Sequence, residues 1–211
     1  MKPRQIIFPC GAISLEGLFF TAGGGLPVQA AVVCHPHPLY GGSMHNNVTF
    51  AVAGALVKAG IAALLFNFRG VGGSSGRHGG GTAEQDDIRA AFDWLQGQPD
   101  VGKERLGLAG YSFGGGVALP VACADGRVKA VALISPYFES PPAALLKECL
   151  KPKLIMGGDG DSMVSAPAVE QYGREAAEPK ALELVEGADH FWGGYEGKMA
   201  ERVAAFFQEY L

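Results

Sequence analysis

The sequence predicts an α/β fold, with one mainly parallel sheet of about eight strands and helices on both faces. Short β-rich apolar runs alternate with helical patterns along the whole chain, as βαβ units require. The composition is 48% hydrophobic and 18% charged, with mean hydropathy +0.14, which suits strands covered on both sides. At 211 residues the chain fits one well-buried core, so a single domain over 1–211 is expected.

The elements follow in order. QIIFPC and ISLEGLFFT form an opening antiparallel pair. AAVVCHP (30–36) is a buried strand, followed by a helix over 46–60 closed by Gly60. AALLFNF (62–68) is the next strand. After the glycine-rich loop GVGGSSGRHGGG (70–81) comes a helix over 82–96, with Thr82 as N-cap and Gln85 completing a capping box. RLGLAGYS (105–112) is a strand, and 113–124 is a helix despite its glycines and Pro120. Strands over 129–136, 153–159 and 181–187 complete the sheet, with helices over 168–177 and 197–211. About sixteen residues separate the strands ending at 136 and starting at 153. They have room for one short helix and no large lid.

Composition excludes several classes. No apolar run reaches about 18 residues, so no membrane span is expected. The apolar stretch after the first residues is too short for a signal peptide, which points to the cytoplasm. Net charge is −4 without a Lys/Arg cluster, against a nucleic-acid surface. Cys10, Cys34, Cys123 and Cys149 are scattered, with no C-x-x-C pair, and read as reduced thiols.

Two stretches have the form G-x-S-x-G: GGSSG around Ser74 and GYSFG around Ser112. That pattern exposes a nucleophilic serine only where a strand runs in and a helix leaves at once. Ser112 has both neighbours. GRHGGG follows Ser74 and cannot nucleate a helix, so Ser74 reads as a loop residue.

A serine hydroxyl needs a base to take its proton and an acid to fix the base's tautomer. Later strand ends supply both. DGDSMV (159–164) follows the strand KLIMGG, and ADHFW carries His190 after ALELVEG. The order Ser112, Asp161, His190 is that of an α/β-hydrolase triad, with Asp159 as the competing acid. Asp189 adjoins His190 and, in extended chain, points away from it.

HPHPLYGGSMHNN (35–47), FNFRGVGGSSG (66–76), GYSFGG (110–115), GDGDSMV (158–164) and GADHFW (187–192) together resemble the α/β-hydrolases, specifically small lidless bacterial members. The resemblance spans about residues 30–195. It implies the α/β-hydrolase fold, Ser112 as nucleophile, His190 as general base, and Asp161 as acid in a G-x-x-D-x-x-V pattern with Gly158 and Val164.

An oxyanion hole needs two backbone N–H groups. One is expected from Phe113, which follows the nucleophile at a helix N-terminus. Resemblance to H-G-x-P loops points to His37 for the other, with Leu39 or Tyr40 as alternatives; Pro36 and Pro38 have no N–H to give. Leu39, Tyr40, Tyr137, Phe138, Met163, Phe191 and Trp192 lie just past strand ends and could line an acyl pocket, although rim packing would explain half of them.

Blander readings compete at several residues. The H-x-H of His35 and His37 could suggest zinc, yet no H-x-H-x-D-H follows, and local hydrogen bonding by His35 fits better. Arg69 reads as a brace between loops, and His45 and His78 as exposed loop residues.

The expected function is that of a serine hydrolase cleaving small esters or thioesters through an acyl-enzyme, without cofactor or metal. A peptidase of short or acylated amino acids is the enzymatic alternative, and a non-catalytic binder on a hydrolase scaffold the other. The expected partner is a small-molecule acyl substrate, with neither nucleic acid nor membrane; a homodimer is left open.

Overall fold

A computed structural model describes residues 2–23, 27–140 and 142–211. Its eight strands form one sheet in the order β1-β2-β4-β3-β5-β6-β7-β8. Strands β1 (Arg4–Cys10) and β2 (Ile13–Phe20) pair antiparallel, and β2 pairs antiparallel with β4 (Ala62–Phe66). From β4 onward the pairing is parallel, through β3 (Val28–Cys34), β5 (Val101–Tyr111), β6 (Val128–Ile134), β7 (Lys153–Gly158) and β8 (Lys180–Val185). Six parallel strands therefore bring their carboxyl ends to one edge of the sheet, where ligands bind in open α/β sheets.

The period-two alternation of side chains divides the apolar residues between two cores. In β3, Ala30, Val32 and Cys34 enter one layer, and Ala31 and Val33 the other. In β4, Leu64 and Phe66 face the first layer and Leu65 the second. Helices α2 (Glu84–Gln96), α3 (Phe113–Ala124), α4 (Ala143–Glu148) and α5 (Ala166–Glu175) close the first layer with Phe92, Val117, Leu146 and Val169. Helices α1 (Asn47–Lys58) and α6 (Glu196–Tyr210) close the second with Val52 and Val203. Among the described residues, no helix is long and apolar enough to cross a membrane.

The start of α2 departs from the sequence expectation. The helix begins at Glu84, after an Ala83 cap with no side-chain bond, so Thr82 and Gln85 form no capping box. Glu84 is fully buried instead, and its carboxylate accepts the Gly79 and Gly81 N–H groups at 2.7 and 2.8 Å. A carboxylate at a helix N-terminus meets both the helix dipole and these loop donors, an arrangement stronger than a hydroxyl cap.

The rest of the glycine loop is tied down in the same way. Ser74 is buried: its Oγ donates to Asn67 O at 2.7 Å and accepts the Glu16 N–H at 3.0 Å. Both functions of this hydroxyl serve the scaffold. Arg69 is the expected brace, forming a forked ion pair with Asp87 at 2.7–3.1 Å.

Candidate active site

Ser112 sits between the end of β5 and the start of α3 with φ +53° and ψ −118°. A serine there costs about 1–3 kcal/mol of backbone strain, which the surroundings must offset. They do so through four main-chain bonds: Ser112 N–H donates to Ile134 O at 2.9 Å, and Gly115, Tyr137 and Gly116 N–H donate to Ser112 O at 2.9, 3.0 and 3.2 Å. The flanking glycines are steric necessities. A Cβ on Gly110 would lie 2.3 Å from Gly114 O, and one on Gly114 would lie 2.6 Å from the carbonyl oxygens of both Cys34 and His35. The G-x-S-x-G spacing therefore lets β5, α3 and the end of β3 approach closely.

The edge brings Ser112, His190 and Asp161 into one chain of contacts. His190 Nε2 lies 3.1 Å from Ser112 Oγ, and His190 Nδ1 lies 2.8 Å from Asp161 Oδ2. All three residues are buried, with 4–6% exposure. The other carboxylate oxygen, Oδ1, accepts Met163 and Val164 N–H at 2.9 and 2.7 Å. Burial pushes the Asp161 carboxyl up, but the His190 contact and these two N–H donors outweigh it and hold it below the usual carboxylate range. An ionised Asp161 can only accept, so Nδ1 carries the imidazole hydrogen and Nε2 presents its lone pair to the serine hydroxyl.

The competing acids are engaged elsewhere. Asp159 Oδ1 accepts the Gly187 N–H at 2.7 Å, pinning the β8 turn, and Asp189 Oδ1 accepts the Phe191 N–H at 3.0 Å.

Two anchors on the His190 loop were not anticipated from the sequence. Tyr111, inside G-Y-S-F-G, donates its O–H to the main-chain oxygen of His190 at 2.7 Å. Trp192 Nε1 donates to Ser135 Oγ at 3.2 Å. This corrects the expectation that Trp192 lines a pocket. At φ +61° the chain turns its indole into the core, where it is fully buried.

The loop after β3 forms a short 3-10 turn at Pro38–Tyr40. Tyr40 N–H donates to His37 O at 3.1 Å, and Leu39 N–H donates to His37 Nδ1 at 3.2 Å, so both alternatives to His37 as oxyanion donor are already engaged. His37 N–H has no such partner among the described residues. Phe113 N–H belongs to the first turn of α3 and has no acceptor within its helix.

His35 is fully buried. Its Nδ1 lies 2.6 Å from Pro36 O and its Nε2 accepts the Phe68 N–H at 3.0 Å. Both ring nitrogens are engaged, so His35 has no lone pair for a metal. His78 is not the exposed loop residue expected: it is partly buried, with Nδ1 3.0 Å from Glu84 Oε1 though not aligned as a hydrogen bond. Its ring packs 5.1 Å from His37 and 5.5 Å from Phe113. His45 is exposed as expected.

Beside Phe113 a cavity of about 270 Å³ is lined by Val117, Pro120, Tyr137, Phe138 and Leu145. Of the expected pocket residues, Tyr137 and Phe138 line it. Leu39, Tyr40, Met163 and Phe191 stand exposed.

The sequence profile of the family described as X-Pro dipeptidyl-peptidase (S15 family) matches residues 27–183. An uncharacterized protein of Rickettsia prowazekii is 35% identical over 77% of this chain and 71% of its own length. One from Mycobacterium tuberculosis is 31% identical over 83% and 68%. Among solved structures, an α/β serine hydrolase homologue from Coxiella burnetii superposes with TM-score 0.88 at 30% identity, covering 97% of each chain. A serine hydrolase without lid from Xanthomonas campestris gives 0.83 at 29%, covering 99% of this chain and 95% of its own.

Proposed function

The chain belongs to the peptidase S15 family, on an α/β-hydrolase fold, and from that premise we propose that it is a serine hydrolase acting on small carboxylic esters or thioesters. The observation that carries this reading is the unbroken chain of contacts from Ser112 Oγ through the His190 ring to Asp161.

In the proposed reaction, Ser112 Oγ attacks the acyl carbonyl carbon while its proton passes to His190 Nε2. Asp161, held ionised, stabilises the imidazolium through Nδ1–H. The Phe113 and His37 N–H groups receive the oxyanion, with the N-terminus of α3 adding its dipole. Collapse expels the alcohol or thiol, which takes the proton from Nε2. Water then repeats the cycle on the acyl-Ser112 ester. The cavity beside Phe113, whose apolar wall is joined by Gln85 and Glu139, is the proposed acyl site; its size favours short or singly aromatic acyl groups.

A second reading is amide cleavage, favoured by the S15 family match. One panel separates the two: p-nitrophenyl esters and acyl-CoA thioesters of graded length beside Xaa-Pro p-nitroanilides. Ester or thioester turnover well above anilide turnover supports the first reading, and the reverse order overturns it in favour of the second.

A further inference from the structure

Two large apolar side chains beside the His190–Asp161 pair stand in solvent on a backbone that is tied down. Phe191 is 64% exposed and Met163 57%. Phe191 N–H donates to Asp189 Oδ1 at 3.0 Å, and its carbonyl accepts Asn47 Nδ2, from the first turn of α1, also at 3.0 Å. The same Asn47 amide donates to Glu196 Oε1 at the start of α6. Met163 N–H donates to Asp161 Oδ1 at 2.9 Å. The Phe191 ring lies 5.8 Å from the His190 ring and nearly perpendicular to it, at 87°. Single exposed apolar residues are ordinary, but two held in place next to one imidazole and its carboxylate offer a ligand a surface that keeps its shape.

The proposed chemistry says which half of a substrate meets them. The leaving oxygen or sulfur takes its proton from His190 Nε2, so the alcohol or thiol departs beside the imidazole. The acyl half goes elsewhere. The cavity beside Phe113 draws its lining from 80–85, 113–120 and 137–145, and among the described residues none of 159–164 or 187–192 contributes. Val117 of that lining belongs to the first core layer, whereas Trp192, the neighbour of Phe191, is buried in the second. An ester at Ser112 therefore lies across the sheet edge, with its two halves toward opposite layers. Charge narrows the leaving half further. Residues 158–164 and 186–196 supply Asp159, Asp161, Glu186, Asp189 and Glu196 and no lysine or arginine, so an anionic leaving group meets carboxylates there.

We propose that Phe191 and Met163 form a leaving-group subsite that selects esters or thioesters of neutral, apolar alcohols or thiols. The inference rests on the serine-hydrolase reaction proposed above and adds the far side of the scissile bond. Complete burial of one methylene is worth roughly four-fold in binding, so contact along one side of an alkyl chain gives about two-fold per methylene.

The test measures kcat/KM for methyl, butyl and hexyl acetate. Their alcohols have nearly equal acidity, so chain length changes contact and not leaving ability, and the constant acetyl group takes the acyl cavity out of the comparison. Wild type should prefer hexyl to methyl acetate by roughly ten- to thirty-fold. It should also prefer hexyl acetate to the acetate of an ω-hydroxy acid of the same length. In Phe191→Ala and in Met163→Ala the hexyl-to-methyl ratio should fall about three-fold or more, and Phe191→Leu should keep most of it. A merely displaced His190 slows every acetate alike and leaves the ratio where it was. An unchanged ratio in either alanine variant, or no preference for the longer alcohol in wild type, overturns the subsite while fluorophosphonate labelling of Ser112 still supports the hydrolase. A wild-type protein that neither hydrolyses an ester nor takes the label overturns the underlying reaction and the subsite with it.

Discussion

Tyr111 donates its phenol to the main-chain oxygen of His190 at 2.7 Å, so the residue preceding the elbow serine also holds the loop of the histidine that faces it. The bond is buried, and it sets the height of the imidazole relative to Ser112 Oγ from the same strand that positions Oγ. Tyr111→Phe keeps the ring and leaves a buried carbonyl unpartnered, at about 1–3 kcal/mol of stability. Ester kcat should drop several-fold while KM changes little, because the proposed base is displaced and the acyl cavity is not. Steady-state kinetics with denaturant unfolding of the same variant checks both effects.

The two G-x-S-x-G serines should separate cleanly. Ser112→Ala should abolish ester hydrolysis without unfolding the protein, and should even relieve the chain of nothing but a hydroxyl. Ser74→Ala leaves Asn67 O and the Glu16 N–H without that hydroxyl, so it should cost about 1–3 kcal/mol of stability and leave kcat/KM within a few fold. Chemical denaturation and p-nitrophenyl ester assays on both variants make the comparison.

Asp161 and Asp159 follow the same strand but do different work. Asp161→Asn removes the acceptor that fixes the His190 tautomer, and kcat should fall by several orders of magnitude, about 10⁴ where the corresponding change has been made in a triad enzyme. Asp159→Asn keeps an oxygen for the Gly187 N–H and should leave kcat nearly unchanged. If the Asp159 variant were the crippled one, the proposed acid would be wrong.

His35 should give the stability a pH dependence of known sign. Burial lowers its folded-state value from 6.5 to about 4. As pH falls through 6.5 the unfolded chain takes up a proton that the folded chain refuses, so stability is lost between about 6.5 and 4, by roughly 3 kcal/mol in all. Protonation would also set a second N–H against the Phe68 N–H. Urea unfolding of wild type and His35→Gln across this range should show a shallower pH slope in the variant; equal slopes would refute the assignment.

The parallel sheet was legible because strands β3 to β8 are short apolar runs separated by helical patterns, and the contacting Ser112, His190 and Asp161 because each follows a strand end in a recognisable order. What escaped was set by tertiary contacts. The start of α2 depends on a buried Glu84 reaching back to Gly79 and Gly81, while Thr82 and Gln85 offered a plausible local cap that the fold does not use. Trp192 read as a pocket residue because nothing local announces its positive φ, which sends Phe191 outward and the indole inward. Tyr111 alternates onto the face opposite Gly110, and its partner lies 79 residues away.

The most direct test of the proposed chemistry is labelling of the folded wild-type protein with a fluorophosphonate, followed by peptide mapping. A single phosphonyl adduct on Ser112, lost in Ser112→Ala and retained in Ser74→Ala, is the expected result. An adduct on Ser74, or no adduct on a folded protein that still hydrolyses esters, would contradict Ser112 as the nucleophile.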